Sequence, residues 1–333
     1  MATFPLICSG AVSPLLDWME RHDRPVDATL SDVGLGWLPR GSPATPIPLA
    51  AGLALLTRAS EREGADLPAR AAADHGIQDI GPLGDCALGA PRLRDGLERA
   101  SANMHRHCTH EMIVIASGPE GLRLSDLWST RFGDDASAHY VQQYVASIVA
   151  SLCRLASPRA LEGLRISMRP HPEAGLAHLA PWFGAALEVA PEGALEIHVP
   201  AGLADRPLPR PGPQPQDVAA DPLWPDLRGD GTLAHGVRLL VRAMLPFATP
   251  RLADLAASGG MSRRTFQRRL AEEGASFFEI LDEARQAAGL ARVGTGAHAL
   301  SQVAAELGYG HPGSFSRAYR RWTGAPPSRA RPG

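Results

Sequence analysis

Arg263, Arg264, Gln267 and Arg268 recur at three- and four-residue intervals in SRRTFQRRLAEEG (262–274), and Ser314, Arg317 and Arg321 repeat the pattern in HPGSFSRAYRRWTG (311–324). Side chains so spaced share one side of an α-helix. An arginine guanidinium can reach guanine O6 and N7 together in the major groove, and a glutamine amide can pair in the same two-pronged way with adenine. Ser262, Thr265, Ser314 and Ser316 are short donors of the kind that hold phosphate oxygens. The chemistry on offer is that of reading a DNA duplex.

Each set needs a helix that is apolar on its other side and braced by a second helix. In PRLADLAASGGMSRRTFQRRLAEEG (250–274), Leu252, Leu255 and Ala256 mark a first helix, and Ser258-Gly259-Gly260 marks the break. Ser262 can then cap a second helix whose Phe266 and Leu270 form the buried stripe. In LSQVAAELGYGHPGSFSRAYRRWTG (300–324), Leu300, Val303, Ala304 and Leu307 supply the first stripe and Gly308 ends the helix. Pro312 suits the opening turn of the next helix, with Phe315, Tyr319 and Trp322 inside and Ser314, Arg317, Arg320 and Arg321 outside. Two tandem helix-turn-helix units are predicted. Between them SFFEILDEARQAAGLARV (276–293) reads as one helix of about 26 Å at 1.5 Å per residue. Such a spacer would set the reading helices about one DNA turn apart, roughly 34 Å.

SRRTFQRRLAEEG, the helix with Glu283-Ala284-Arg285, and LGYGHPGSFSRAYRRWTGAPPSRAR together resemble the DNA-binding domain of the AraC/XylS family of bacterial transcription regulators, over about a hundred residues. The resemblance implies that Arg264, Gln267 and Arg268 in the first reading helix, and Gly313, Ser314 and Arg317 in the second, face bases. Gly310 and His311 occupy positions where such proteins often carry polar residues. The DNA-binding set expected from pattern and resemblance together is Arg263, Arg264, Thr265, Gln267, Arg268, His311, Gly313, Ser314, Arg317 and Arg321.

A chain of 333 residues is long for one domain and comfortable for two. Its formal net charge of −2 conceals a polarity. From 232 to 333 there are 14 arginines against 7 acidic residues, a balance of +7, while the preceding 231 residues carry −9. Only the C-terminal part suits a phosphate backbone. Lysine is absent, so all 33 basic residues are arginine. The N-terminal stretch lacks a charged leader followed by an apolar core, and no run of about 18 apolar residues occurs, so a cytoplasmic protein with no membrane partner is expected. Cys8, Cys86, Cys108 and Cys153 form no CxxC pair and indicate neither a zinc module nor a disulfide framework. GxSxG, P-loop, HExxH and Rossmann fingerprints are missing, which argues against an enzyme, and no cofactor is expected.

Proline and acid crowd LADRPLPRPGPQPQDVAADPLWPDLRGDG (203–231) and predict an extended connector. The expected division is a domain at 1–205, a linker at 206–231 and a DNA-binding domain at 232–333, opening with a helix over 232–245. Upstream, helices are predicted at 47–62, from Pro91 to about His105, and from Ala138 to Ala156. Strands are predicted at Glu111–Ala116, Leu122–Trp128, Leu164–Met168, Ala186–Val189 and Ala194–Val199. The fold class expected is an α+β N-terminal domain with a mostly antiparallel sheet, followed by an all-α C-terminal domain. IGPLGDCALGAPRLRDGLERA and WFGAALEVAPEGALEIHVPAGLADRPLP resemble the arabinose-binding-type N-terminal domain of one branch of the AraC family. That likeness implies sensing of a small-molecule effector and homodimerisation, and the family as a whole implies activation through contact with RNA polymerase at promoter DNA.

Which effector is not written in the residues. Trp128 and Trp182 could line an aromatic pocket or simply fill the core. Arg165 and Arg169, with His171, could hold an anionic effector or form a solvated strand face. MHRHCTHE places His105, His107, Cys108 and His110 beside Glu111, a donor set suited to zinc, copper or nickel, at a helix-to-strand junction that would scatter them. Three readings therefore stand: an effector-responsive regulator, a metal-responsive one, and a constitutive DNA-binding dimer.

Overall fold

A computed structural model describes residues 3–73, 76–130, 133–191, 193–209, 223–295 and 297–330. Of these, the residues within 5–36 and 41–227 form one compact unit, and those within 1–4, 37–40 and 228–333 form another. Residues 210–222 of the expected linker lie outside the described residues.

The larger unit is α+β. Strands β1 (Leu6–Cys8) and β2 (Pro46–Pro48) make a small antiparallel pair. Strands β3 (Glu111–Gly118), β4 (Gly121–Trp128), β5 (Arg165–Met168), β6 (Leu187–Val189) and β7 (Leu195–Pro200) form a sheet in the order β3-β4-β7-β5-β6. Every pairing in that sheet is antiparallel except β5 with β6. The period-2 pattern is visible in β7, where Leu195, Ile197 and Val199 are buried while Glu196 is exposed.

Helices α1 (Ser13–Arg21), α2 (Leu49–Glu63), α3 (Leu93–Ala102), α4 (Met104–His107) and α5 (Asp135–Ala156) supply the other layer. In α5, the Asp134 carboxylate accepts from the Ser137 amide at 2.8 Å and caps the first turn. Two expectations shift. The helix predicted at 47–62 begins at Leu49, because Ile47 and Pro48 are taken into β2 opposite Ile7 and Leu6. The helix predicted from Pro91 to about His105 breaks at Asn103, whose side-chain amide donates to Arg99 O at 2.9 Å and closes the end of α3.

The smaller unit is helical: α6 (Leu233–Met244), α7 (Leu252–Ser258), α8 (Arg263–Glu272), α9 (Phe277–Thr295), α10 (Leu300–Glu306) and α11 (Pro312–Thr323). Thr3 and Phe4 belong to this unit. Phe4 is fully buried, with its ring edge-on to Phe266 at 6.3 Å, and Thr3 Oγ1 donates to Gly231 O at 3.1 Å.

Candidate nucleic-acid interface

Both helix-turn-helix units close their turns on a glycine in the left-handed region, Gly260 at φ +66° and Gly308 at φ +72°, where a side chain would be strained. Ser262 Oγ accepts from Thr265 N at 3.1 Å and lies 2.9 Å from Thr265 Oγ1, so these two hydroxyls form the cap of α8. Phe266 and Leu270 are fully buried, which turns Arg263, Arg264, Gln267 and Arg268 to solvent as one exposed strip. Arg268 Nη1 meets Glu272 Oε1 at 2.6 Å one turn along; with both groups well exposed the pair aims the guanidinium more than it stabilises the helix.

The second unit repeats the design with aromatic residues. Phe315 is fully buried, with Tyr309, Tyr319 and Trp322 at ring separations of 5.9, 5.8 and 6.4 Å. His311, Gly313, Arg317, Arg320 and Arg321 are exposed, and Ser314 is half-buried. Arg317 Nη2 donates to Ser314 Oγ at 3.1 Å, drawing those two expected readers together. Arg321 Nη2 instead donates to Asp282 Oδ1 on α9 at 2.6 Å, beside the Trp322 indole donating to Asp282 Oδ2 at 3.1 Å.

Several positioning residues carry no sign in the local pattern. Arg285 on α9 donates through Nε to Leu307 O at 2.8 Å and through Nη2 to Gly308 O at 3.3 Å, and its guanidinium lies 4.7 Å from the centre of the Tyr309 ring. It thus holds the turn between α10 and α11 from the spacer helix, using carbonyls orphaned at the end of α10. Arg292 pairs with Glu306 at 3.1 Å. The resemblance had singled out Glu283-Ala284-Arg285, yet the carbonyls that Arg285 serves lie more than twenty residues away.

Glu273, just past α8, accepts from Leu233 N at 3.0 Å and Ala234 N at 2.8 Å, tying α8 to the start of α6. A carboxylate on two helix N-terminal amides is a charge-assisted cap. Glu273→Ala is expected to destabilise this unit by about 1–3 kcal/mol, with Glu273→Gln losing less, as checked by urea unfolding followed by far-UV circular dichroism.

In the larger unit the expected effector residues are dispersed. Trp128 lines a partly open apolar cavity. Trp182 Nε1 donates to Asp66 Oδ2 at 3.3 Å, Arg169 Nη1 pairs with Asp135 Oδ1 at 2.6 Å, and Arg165 is exposed on β5. Arg169 and His171 fall beyond the end of β5, so the single strand face expected for them does not form; His171 Nε2 lies 3.1 Å from Tyr140 Oη.

The metal candidates have separate surroundings. His105 Nδ1 lies 3.0 Å from Ala102 O, His110 Nδ1 lies 2.6 Å from Thr109 Oγ1, the Cys108 thiol is buried, and His107 faces the apolar cavity. No group of three or more metal-ligating side chains occurs among the described residues.

Burial draws the imidazoles of His107 and His139 down from 6.5 to about 4. Both fold neutral, and the unfolded chain takes up the protons first, so their stabilisation is complete above pH 6.5 and is lost as pH falls toward 4. Asp126 has the opposite sign. Burial pushes its carboxyl from 3.8 up to about 6, against the hydrogen bond from Trp128 Nε1 at 2.9 Å, so its share is complete below 3.8 and fades as pH rises through 6. Thermal melts should fall as pH drops from 6.5 toward 4, more steeply in Asp126→Asn and less steeply in His139→Gln.

Comparison with known proteins bears on the same segments. A family model described as a helix-turn-helix domain matches residues 255–332. An uncharacterized HTH-type transcriptional regulator of Mycobacterium tuberculosis is 26% identical over 80% of this chain and 77% of its own length. The HTH-type transcriptional regulator VirS of the same organism is 33% identical over 39% of this chain and 38% of its own. The crystal structure of the transcriptional regulator CdpR from Pseudomonas aeruginosa aligns over 95% of this chain and 96% of its own, with 19% identity and a TM-score of 0.38. Among the described residues no helix is long and apolar enough to cross a membrane. The chain is a transcriptional regulator whose helix-turn-helix DNA-binding domain is of the AraC type.

Proposed function

We propose that α8 and α11 each enter a major-groove segment of promoter DNA. The chain does so as a cytoplasmic homodimer that answers a small effector bound by the larger unit, and it activates transcription by contact with RNA polymerase. The observation that supports DNA reading is the exposed strip Arg263, Arg264, Gln267 and Arg268 on a helix whose opposite side is fully buried, with Ser314 and Arg317 in the matching place on α11. Arg264, Gln267, Arg268, Ser314 and Arg317 are the base readers. Gly313 lets the start of α11 approach the duplex closely, and Arg263, Thr265, His311 and Arg321 hold phosphates. Arg321 would leave Asp282 to do so.

Dimerisation and sensing follow from the resemblance of the N-terminal domain. A constitutive dimer is the alternative, and effector titration separates the two. The metal-responsive reading is disfavoured by the separate surroundings of His105, His107, Cys108 and His110.

Selection from a random duplex library with the full chain tests the DNA reading. The expected product is a motif of two short segments centred about 10 base pairs apart. Enrichment of one segment alone would contradict the paired reading, and enrichment of none would sink sequence-specific binding altogether.

A further inference from the structure

Among α1, α2, α3, α5 and the inner face of β3 and β4, the larger unit forms a partly open cavity of about 110 Å³. Its wall is aliphatic almost throughout, with Leu56, Leu97, Val145 and Ile148 prominent, and this apolar lining is interrupted by a few polar side chains. Most of those are already engaged. Ser101 Oγ donates to Ile113 O at 2.6 Å, and Glu111 shares a hydrogen bond with Asp126. Two are different. His107 and Tyr144 are 6% and 7% exposed, and neither His107 Nδ1 nor Tyr144 Oη has a hydrogen-bond partner among the described residues; the Leu15 backbone lies toward the phenol without meeting hydrogen-bond geometry.

A native fold seldom leaves buried polar atoms unsatisfied, and where none of its own groups serves, a bound water or ligand commonly supplies the partner. Here two such atoms belong to residues that line the same void. The void also sets the chemistry of an occupant. Aliphatic walls disfavour an ion, because a desolvated charge needs a counter-charge and dense hydrogen bonding. A sugar or a free amino acid brings more polar groups than two partners can satisfy. An engineered apolar cavity of about 150 Å³ holds benzene, so this smaller void takes no more than about one ring within it.

We propose that this cavity is the effector site, and that it takes a small neutral molecule about the size of a single ring bearing one hydroxyl or N–H group, which hydrogen-bonds to His107 and Tyr144 while Trp128 and the aliphatic wall enclose the rest. This deepens the effector reading and rests on it for its regulatory consequence, though not for binding.

Phenol and cyclohexanol are the probes, with toluene and arabinose as comparators, titrated into the full chain by calorimetry and by methyl-observed NMR. Phenol or cyclohexanol should saturate the site and raise the melting temperature. Toluene should bind about tenfold or more weakly, the difference expected of one hydrogen bond, and arabinose should not bind. Tyr144→Phe together with His107→Leu should erase the preference over toluene. Val145→Phe fills the void and should abolish binding without lowering the melting temperature; Ala100→Leu serves if that variant misfolds. Failure of both alcohols to saturate at about 10 mM, an affinity weaker than any specific complex of interest, overturns the site. So does binding that survives both cavity-filling variants, or arabinose displacing phenol. DNA binding is scored separately. A chain that selects its DNA motif yet binds no probe loses only the cavity proposal, and one that binds phenol yet selects no DNA loses only the regulator reading.

Discussion

An Arg264→Ala/Arg268→Ala double variant is expected to bind its selected DNA between about 30-fold and about 10⁴-fold more weakly, since each two-pronged arginine contact to guanine carries roughly 1–3 kcal/mol of discrimination. Both guanidinium groups sit on the solvent side of α8, opposite a stripe that is fully buried, so their removal leaves the packing untouched. The melting temperature should therefore stay within experimental error, because exposed substitutions away from caps and cores change stability little. Fluorescence anisotropy on the selected duplex and on a scrambled one distinguishes the possible roles. Base reading predicts a large loss on the selected duplex, a small one on the scrambled duplex, and a nearly unchanged salt slope. An equal loss on both, with a slope shallower by about two, would mean that these arginines hold phosphates instead. Arg268→Lys sharpens the distinction: it keeps the charge but not the planar fork, so selectivity should drop while general DNA affinity persists.

Phe315→Ala is expected to destabilise the smaller unit by about 3–5 kcal/mol, the usual loss for truncating a fully buried phenylalanine. The reason is local and dense. The Phe315 ring is the shared neighbour of Tyr309, Tyr319 and Trp322, so its removal leaves three aromatic rings facing a void. That cluster fixes α11 against the turn that Arg285 holds from α9, and the orientation of Ser314 and Arg317 depends on it. Denaturant unfolding should show the loss directly, with Phe315→Leu recovering part of it. DNA footprinting should show protection fading over the segment read by α11 before that read by α8. Equal weakening of both segments would indicate that the two units melt as one. The arginine and phenylalanine variants thus fail in opposite ways, one with intact stability and lost recognition, the other with recognition lost through stability.

Much of this architecture is legible in the sequence. Helix periods, glycine breaks and the Ser262 cap are short-range features, set by residues within a turn or two of one another, and they place α7, α8, α10 and α11 within a residue or two. Strand alternation likewise marks β3, β4, β5, β6 and β7. Most of what the local pattern leaves open is long-range: the pair β1 with β2 joins residues some forty positions apart, whereas the break at Asn103 is local, its side-chain amide turning back one turn to Arg99 O. The burial of Phe4 beneath Phe266 links residues at nearly opposite ends of the chain.

The same distinction runs through the functional residues. Composition and period are enough to mark a basic, helix-turn-helix C-terminal region, because charge surplus and helical spacing are properties of neighbouring residues. They do not say which arginine does what. Arg264 and Arg268 face solvent, Arg285 and Arg292 brace the second unit, and Arg321 is held by Asp282, although all five are the same side chain in helices of similar pattern. A guanidinium takes its role from partners brought beside it by packing, and those partners lie up to forty residues away. The cavity is the extreme case. His107 reads as a metal ligand among MHRHCTHE, and it becomes the polar corner of an apolar chamber because helices and strands from a dozen places in the chain close around it.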